Sequence, residues 1–145
     1  MTAAVGEFLA EGLTVAVPTY RRPDAVVRAV RGALAQAAAV GAPPGAAEVL
    51  VIDNDPASSA RSAVTALPVP EGAGLRYVVE ERPGVAAVRN RALDEAAHRR
   101  LLVFIDDDEE PEAGWLAALL ATFADTGAAA VAGLVVPAYE SAPDA

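Results

Sequence analysis

The chain has 145 residues, which is enough for one domain, expected over residues 1–145, that buries a hydrophobic core. Hydrophobic residues make up 54% and charged residues 21%, which is typical of a folded globular protein and excludes a disordered tail. A net charge of -9 argues against nucleic acid as a partner, because that binding depends on clustered positive charge. All 11 basic residues are arginine and cysteine is absent, which excludes lysine-dependent phosphate loops, Schiff bases, disulfides and cysteine nucleophiles.

Neither end of the sequence predicts a targeting or membrane segment. Residues 1–12 lack a basic stretch followed by an apolar run and a cleavage site, so the default expectation is a cytoplasmic location. The apolar run from Ala113 to Tyr139 is interrupted at Asp125-Thr126-Gly127. A spanning helix needs about 20 uninterrupted apolar residues, so no membrane span is expected.

Short β-branched or leucine-rich runs alternate with longer alanine-rich stretches, a pattern that predicts βαβ units and a parallel sheet. The predicted strands are Leu13 to Val17, Glu48 to Ile52, Leu75 to Val79, Leu101 to Ile105 and Ala129 to Val136. The predicted helices run from about Pro23 to Val40, Ala57 to Leu67, Val85 to His98 and Pro111 to Phe123. The fourth strand is wholly apolar, so burial on both of its faces is expected.

Polar residues follow each of the first four predicted strands, where an open α/β sheet binds its ligands. These segments are Pro18 to Arg22, Asp53 to Asp55, Glu80 to Gly84 and Asp106 to Asp108. Three successive carboxylates are hard to keep ionised together unless a cation or solvent compensates their charge. Carboxylate oxygens select hard ions such as Mg²⁺ or Mn²⁺, which also bind substrate phosphates. The pattern favours a nucleoside diphosphate or similar ligand. The alternative is that residues 106–112 form a solvated loop that caps a helix.

The sequence resembles the family 2 glycosyltransferases of the GT-A fold over about Leu13 to Pro137. Four segments in the family's order carry the resemblance: Val15–Pro23 (VAVPTYRRP), Val49–Asn54 (VLVIDN), Pro83–Leu93 (PGVAAVRNRAL), and Phe104–Asp108 (FIDDD) followed by Pro111 and Trp115-Leu116. The resemblance implies a Rossmann-like, mostly parallel sheet with helices on both faces, without the acceptor-binding part that follows in the family.

The resemblance also implies roles for individual residues. Pro18, Thr19 and Tyr20 would line the pocket for the nucleobase and ribose, and Asp53 would accept a hydrogen bond from the base. Arg89 would approach the base or the diphosphate. Asp106 and Asp108 match the family's Asp-x-Asp motif, with Asp108 as the direct metal ligand and Asp106 nearer the ribose. Arg22 and Asp107 complete the expected nucleotide-sugar site.

A purely structural role is open for most of these residues as well. Asp53 and Asn54 are also turn formers, and Asn54 stands where the family often has aspartate. Pro18 can simply end a strand, and Tyr20 can be a packed aromatic. Three further polar residues can simply lie on the surface: Arg89, Asn90 and His98. Trp115 can belong to the hydrophobic core.

The reaction implied by the resemblance is inverting, metal-dependent transfer of a sugar from a UDP-, GDP- or dTDP-sugar to an unknown acceptor. The family's catalytic base and its Gln-x-x-Arg-Trp-like element lie after the last predicted strand. Gln36 is the one glutamine, and Glu140 and Asp144 are poor candidates for the base, so no base is assigned.

Other functions stay open beside transfer. One is a catalytically silent module that binds a nucleotide sugar and acts through a partner chain or self-association; a bare apolar face near the sheet's carboxyl edge would favour such association. Metal-dependent phosphoryl transfer is disfavoured because lysine is absent. Dinucleotide binding is disfavoured because the turn from Pro18 to Pro23 contains no glycine.

Overall fold

The computed structural model describes residues 2–138, which form four strands and five helices. The strands make one parallel sheet in the order β3-β2-β1-β4. The alternation seen in the sequence therefore correctly predicts an α/β fold. In chain order the elements are α1 (Ala3–Ala10), β1 (Leu13–Thr19), α2 (Pro23–Ala39), β2 (Ala47–Asp53), α3 (Arg61–Thr65), β3 (Gly74–Val79), α4 (Val85–Glu95), β4 (Leu101–Phe104) and α5 (Trp115–Thr126).

Helices cover both faces of the sheet, as expected, but unequally. Alternate side chains of a strand point to opposite faces, so Val15 and Val17 of β1 enter the larger core while Ala16 enters the smaller one. The larger core contains residues of α1, α2, α3 and α5. Within the described chain, α4 supplies the helical side of the smaller core through Val88 and Ala92. The smaller core leads directly to the carboxyl edge where ligands are expected.

Helix α2 shows how local sequence produces this packing. Pro23 occupies the first turn, where its missing N–H costs no hydrogen bond, and Asp24 complements the positive end of the helix. Val26, Val30 and Leu34 recur at helical spacing and are buried. Each such side chain contributes about 1.5–3 kcal/mol by leaving water. The buried face of α2 therefore holds the helix against β1 and β2.

Helix α1 is not predicted by the sequence patterns. Thr2 caps it by accepting a hydrogen bond from the Val5 backbone N–H at 3.4 Å. Val5 and Leu9 are buried, and the ring of Phe8 meets that of Phe123 edge-on at 5.5 Å between centroids. A helix of 8 residues is marginal by itself, so its packing against α5 stabilises it.

The prediction of a strand over Ala129 to Val136 is wrong. Residues 129–138 have no regular secondary structure, and Leu134, Val135 and Val136 are 91%, 66% and 72% exposed. A strand requires a neighbour for its N–H and C=O groups, and in the described part of the chain β4 pairs only with β1. The apolar run instead passes over Trp115 of α5.

The structure also modifies two expectations, on the burial of β4 and on the start of α5. Strand β4 lies at one edge of the described sheet, so Leu102, Val103 and Phe104 are only partly buried. Its side chains pack against the cores on both faces, as expected, but the burial is incomplete. Helix α5 begins at Trp115 rather than near Pro111, because Gly114 before it adopts a left-handed conformation with φ of 82°.

His98 is exposed, as expected. Across residues 2–138, no helix combines the length and apolar content needed to cross a membrane.

Candidate functional site

An open cleft of about 340 Å³ lies at the carboxyl ends of β1, β2 and β4, beside the N-terminus of α4. The cleft forms at this edge because parallel strands deliver their following loops to the same side of the sheet. Every predicted site residue except Asp53 contributes to its wall. The lining residues are Pro18, Thr19, Tyr20, Arg22, Asn54, Val85, Val88, Arg89, Asp106, Asp107 and Asp108.

Asp107 anchors the acidic loop after β4 to the end of β1. The Thr19 hydroxyl donates to one carboxylate oxygen of Asp107 at 2.8 Å, and Arg22 donates to the other at 3.3 Å. Thr19 and Asp107 are 4% and 8% exposed, so this hydrogen bond is shielded from water. Asp107 thus holds the loop in place, and its two neighbours can turn outward.

Asp106 and Asp108 carry the carboxylates that face solvent, with side chains 57% and 64% exposed. An Arg22 nitrogen lies 3.2 Å from an Asp108 oxygen, and an Arg89 nitrogen lies 3.9 Å from an Asp106 oxygen. Exposed ion pairs of this kind contribute about 0–1 kcal/mol to stability. An arriving cation or phosphate can therefore replace them at little cost.

The chemistry of these carboxylates fits a metal that arrives with its substrate. Among residues 2–138, no group of three or more acidic or histidine side chains is arranged to hold a metal ion by itself. Mg²⁺ is commonly bound through one or two carboxylates plus substrate phosphates and water. Asp106 and Asp108 supply such a pair, so the donor set suits a cation shared with a diphosphate.

Asp53 does not face the cleft. Its oxygens accept hydrogen bonds from the backbone N–H groups of Asp55 at 2.9 Å and Ala60 at 3.1 Å, and from the Tyr77 hydroxyl. The side chain is fully buried. Burial, together with this hydrogen bond to Asp53, raises the pKa of Tyr77 above its ordinary range. The geometry supports the structural role of Asp53 as the organiser of the turn at residues 54–60.

Side-chain alternation explains why Asp53 lies there. Within β2, Val49 and Val51 enter the larger core, and Asp53 continues the same face of the strand. The cleft instead borders Val88 of α4, on the opposite face of the sheet. A base contact from Asp53 would require a change in the direction of its side chain.

The N-terminus of α4 and Arg89 form the positively polarised wall of the cleft. Val85, Val88 and Arg89 line it, and Gly84 precedes the helix with φ of 110°. Gly84, the N-cap residue, has no side chain of its own to cap α4, and the first turn of the helix has no acidic residue. Exposed N–H groups at a helix N-terminus favour anions. Arg89 adds a full positive charge, held 5.0 Å above the ring of Phe104.

Tyr20 stands at the mouth of the cleft with 52% of its surface exposed, so it is not a packed aromatic. The guanidinium of Arg21 lies 5.0 Å from the ring centroid and also pairs with Asp55 at 3.6 Å. A hydrogen bond from Ser59 and the charge of Arg21 lower the pKa of Asp55. Tyr20 therefore presents an open aromatic surface to any ligand in the cleft.

Three lining residues are absent from the predicted site: Asn54, Val85 and Val88. The sequence signal for Val85 and Val88 is the loop after the third strand, which ends at a helix start on the ligand edge. Trp115 lies away from the cleft, partly buried against the core, as its structural role predicts. It borders a smaller cavity of about 260 Å³ with residues 131–134.

Known proteins similar to this chain include a family and a curated relative. The family model described as Glycosyl transferase family 2 matches residues 14–143. A curated relative, the succinoglycan biosynthesis protein ExoM of Rhizobium meliloti (strain 1021), is 37% identical over 128 residues. That alignment covers 88% of this chain but 40% of the relative, so the chain spans about two fifths of the relative's length.

Proposed function

Because the chain belongs to glycosyl transferase family 2, we propose that it is the donor-binding part of a glycosyltransferase and holds a nucleotide sugar in the cleft. One observation carries the proposal: an aromatic ring, a cationic helix end and a pair of outward carboxylates share one cleft of about 340 Å³. A nucleotide sugar has a base, a diphosphate and hydroxyl groups that match these three kinds of surface.

The base and ribose would lie against the end of β1. Pro18 and the exposed ring of Tyr20 offer an apolar surface for a planar base, and Val85 faces them from α4. Aromatic rings stack on bases with little dependence on base identity. A UDP-, GDP- or dTDP-sugar is compatible with this surface.

The diphosphate would lie between α4 and the acidic loop. Arg89 and the N-terminus of α4 attract its negative charge from one side. From the other side, Asp106 and Asp108 would hold Mg²⁺ or Mn²⁺. The bound metal would neutralise the charge that develops on the nucleoside diphosphate leaving group. Arg22 would then release Asp108 and remain paired with the buried Asp107.

The proposed reaction is inverting sugar transfer. An acceptor hydroxyl attacks the anomeric carbon from the side opposite the diphosphate, the new glycosidic bond forms as the bond to the diphosphate oxygen breaks, and a carboxylate base takes the hydroxyl proton. Glu140 and Asp144, which the sequence offers only weakly as bases, lie outside the described residues. No residue of the described chain is assigned as the base.

The openness of the acidic loop favours a second candidate function. The side chain of Asp108 is 64% exposed, and such a site can bind a nucleotide sugar without holding an acceptor beside it. In that case the domain binds the donor and acts through a partner chain. Sugar transfer by the purified chain would exclude this function.

Calorimetric titration of UDP, GDP and dTDP, with Mn²⁺ or with excess EDTA, tests donor binding. We expect one nucleotide to bind in a Mn²⁺-dependent manner and Asp108→Asn to lose that binding. Asp125→Asn, on the exposed surface of α5, is the matched control and should bind like the unmodified chain. Binding that is equal in EDTA and in Asp108→Asn would contradict the metal role, and no binding would contradict donor recognition by this chain.

A further inference from the structure

We propose that Asn54 is a positioning residue for the donor cleft, and that its side-chain amide is needed to hold the loop between β3 and α4. The loop covers Glu80 to Gly84, between the end of β3 and the first residue of α4. Its shape determines where the N-terminus of α4 and Arg89 stand. The proposal rests on the proposed function, because positioning matters only if the cleft binds a nucleotide.

Three hydrogen bonds join the Asn54 side chain to this loop. The amide nitrogen donates to the backbone carbonyls of Glu80 and Arg82, both at 2.7 Å, and the amide oxygen accepts from the Gly84 backbone N–H at 2.9 Å. The partners settle the orientation of the amide, because carbonyls can only accept and an N–H can only donate. Both amide protons and the oxygen are therefore used within one loop.

Asn54 also connects this loop to β1. Its backbone N–H donates to the carbonyl of Thr19 at 2.9 Å, and Thr19 is the residue that holds Asp107. The side chain of Asn54 thus extends a chain of hydrogen bonds from the acidic loop, through the end of β1, to the start of α4. These three segments form three sides of the cleft.

The loop has a second internal tie that makes it a defined structure. The Glu80 carboxylate accepts hydrogen bonds from the backbone N–H and the guanidinium of Arg82, each at 2.9 Å. These bonds lower the pKa of Glu80. Gly84 has φ of 110°, which a residue with a side chain rarely adopts, so the chain can turn sharply into α4. The tie from Asn54 fixes that turn to β2.

A carboxylate at position 54 cannot make these three bonds, so a family member with aspartate at this position must hold the loop by other contacts. Aspartate has nearly the same shape, but its ionised side chain has no hydrogen to donate. Asn54→Asp would place a negative oxygen against two carbonyl oxygens that now accept at 2.7 Å. The loop must then move, and α4 and Arg89 move with it. We expect about a tenfold loss of nucleotide affinity.

The experiment compares Asn54→Asp and Asn54→Ala with Asn90→Asp. Asn90 lies exposed on α4, so Asn90→Asp makes the same change in charge close to the cleft but outside the loop. Asn54→Ala removes all three bonds without adding charge. Hydrogen exchange of residues 80–89 and calorimetric nucleotide binding are measured for each protein, and circular dichroism confirms that each is folded.

The expected result is faster exchange across residues 80–89 in both Asn54 variants, with about a tenfold weaker nucleotide affinity than in Asn90→Asp. Exchange and affinity equal to those of Asn90→Asp would overturn the proposal. Faster exchange with unchanged affinity would also overturn it, because the bonds would then be structural only. If the unmodified chain binds no nucleotide, the proposed function fails, while the exchange measurement still decides whether Asn54 holds the loop.

Discussion

Replacing Thr19 by valine is expected to lower the free energy of unfolding by about 2 kcal/mol. Valine has the shape of threonine with a methyl group in place of the hydroxyl, so the substitution removes a donor without leaving a cavity. The lost contact is the 2.8 Å hydrogen bond to Asp107. Among the residues that the structure describes, the Asp107 carboxylate would keep only its bond to Arg22, at 3.3 Å, on the other oxygen.

The magnitude follows from burial and charge. Hydrogen bonds to charged groups contribute about 1.5–3 kcal/mol, and an unpartnered buried acceptor incurs its desolvation cost. Thr19 and Asp107 are 4% and 8% exposed, so water can replace the lost donor only in part. For a domain of this size, 2 kcal/mol corresponds to a decrease in melting temperature of about 4–8 °C.

Urea unfolding followed by circular dichroism measures the effect. The matched control is Thr122→Val on the exposed surface of α5, where the threonine hydroxyl donates to the carbonyl of Ala118. This control should change stability by less than about 0.5 kcal/mol. A double-mutant cycle with Asp107→Ala, which removes both carboxylate oxygens, isolates the pair.

Unfolding of Thr19→Val at the same urea concentration as Thr122→Val would refute this prediction. A destabilisation that persisted undiminished in an Asp107→Ala background would refute the assignment to this pair. In either case the anchoring of the acidic loop to β1 would depend on other contacts.

Three further predictions concern other parts of the chain. Burial raises the pKa of Glu48, but hydrogen bonds from Arg76 and Thr14 hold that pKa below its ordinary value of 4.5. The ionised Glu48 therefore stabilises the fold above that pH, and this stabilisation is lost on acidification. Glu48→Gln should therefore destabilise the fold by about 2 kcal/mol at pH 7 and flatten the acid limb of a pH–stability curve; an unchanged acid limb would contradict this. Tyr77→Phe removes a hydrogen bond to Asp53 and should lower the free energy of unfolding by about 1–2 kcal/mol, measured by thermal unfolding. Nucleotide binding should not weaken, because Asp53 organises a turn; weaker binding would argue that Asp53 contacts the nucleotide directly. The exposed run at residues 134–136 should promote self-association, which light scattering would contradict by finding a monomer at every concentration.

The order and type of the central elements could be predicted from the sequence because they depend on local chemistry. Apolar β-branched runs such as Leu13–Thr19 specify strands, and the spacing of buried residues along α2 specifies a helix. Strand direction then follows from the alternation of strands with helices, and a parallel sheet puts the polar strand ends at one edge. The cleft could therefore be located, and most of its residues named, from the sequence.

Only the tertiary structure decided where individual side chains point and which strands find partners. Asp53 turns toward the larger core because alternation along β2 places it there, and Asp107 turns inward while Asp106 and Asp108 turn outward because Thr19 and Arg22 hold the middle carboxylate. The run at 129–136 is apolar enough for a strand but has no ladder partner in the described chain. From the sequence, Asn54 is expected only to form a turn. In the structure its side chain is hydrogen-bonded to a loop whose residues lie 26 or more positions further along the chain. Such contacts join residues distant in sequence, and local patterns carry no information about them.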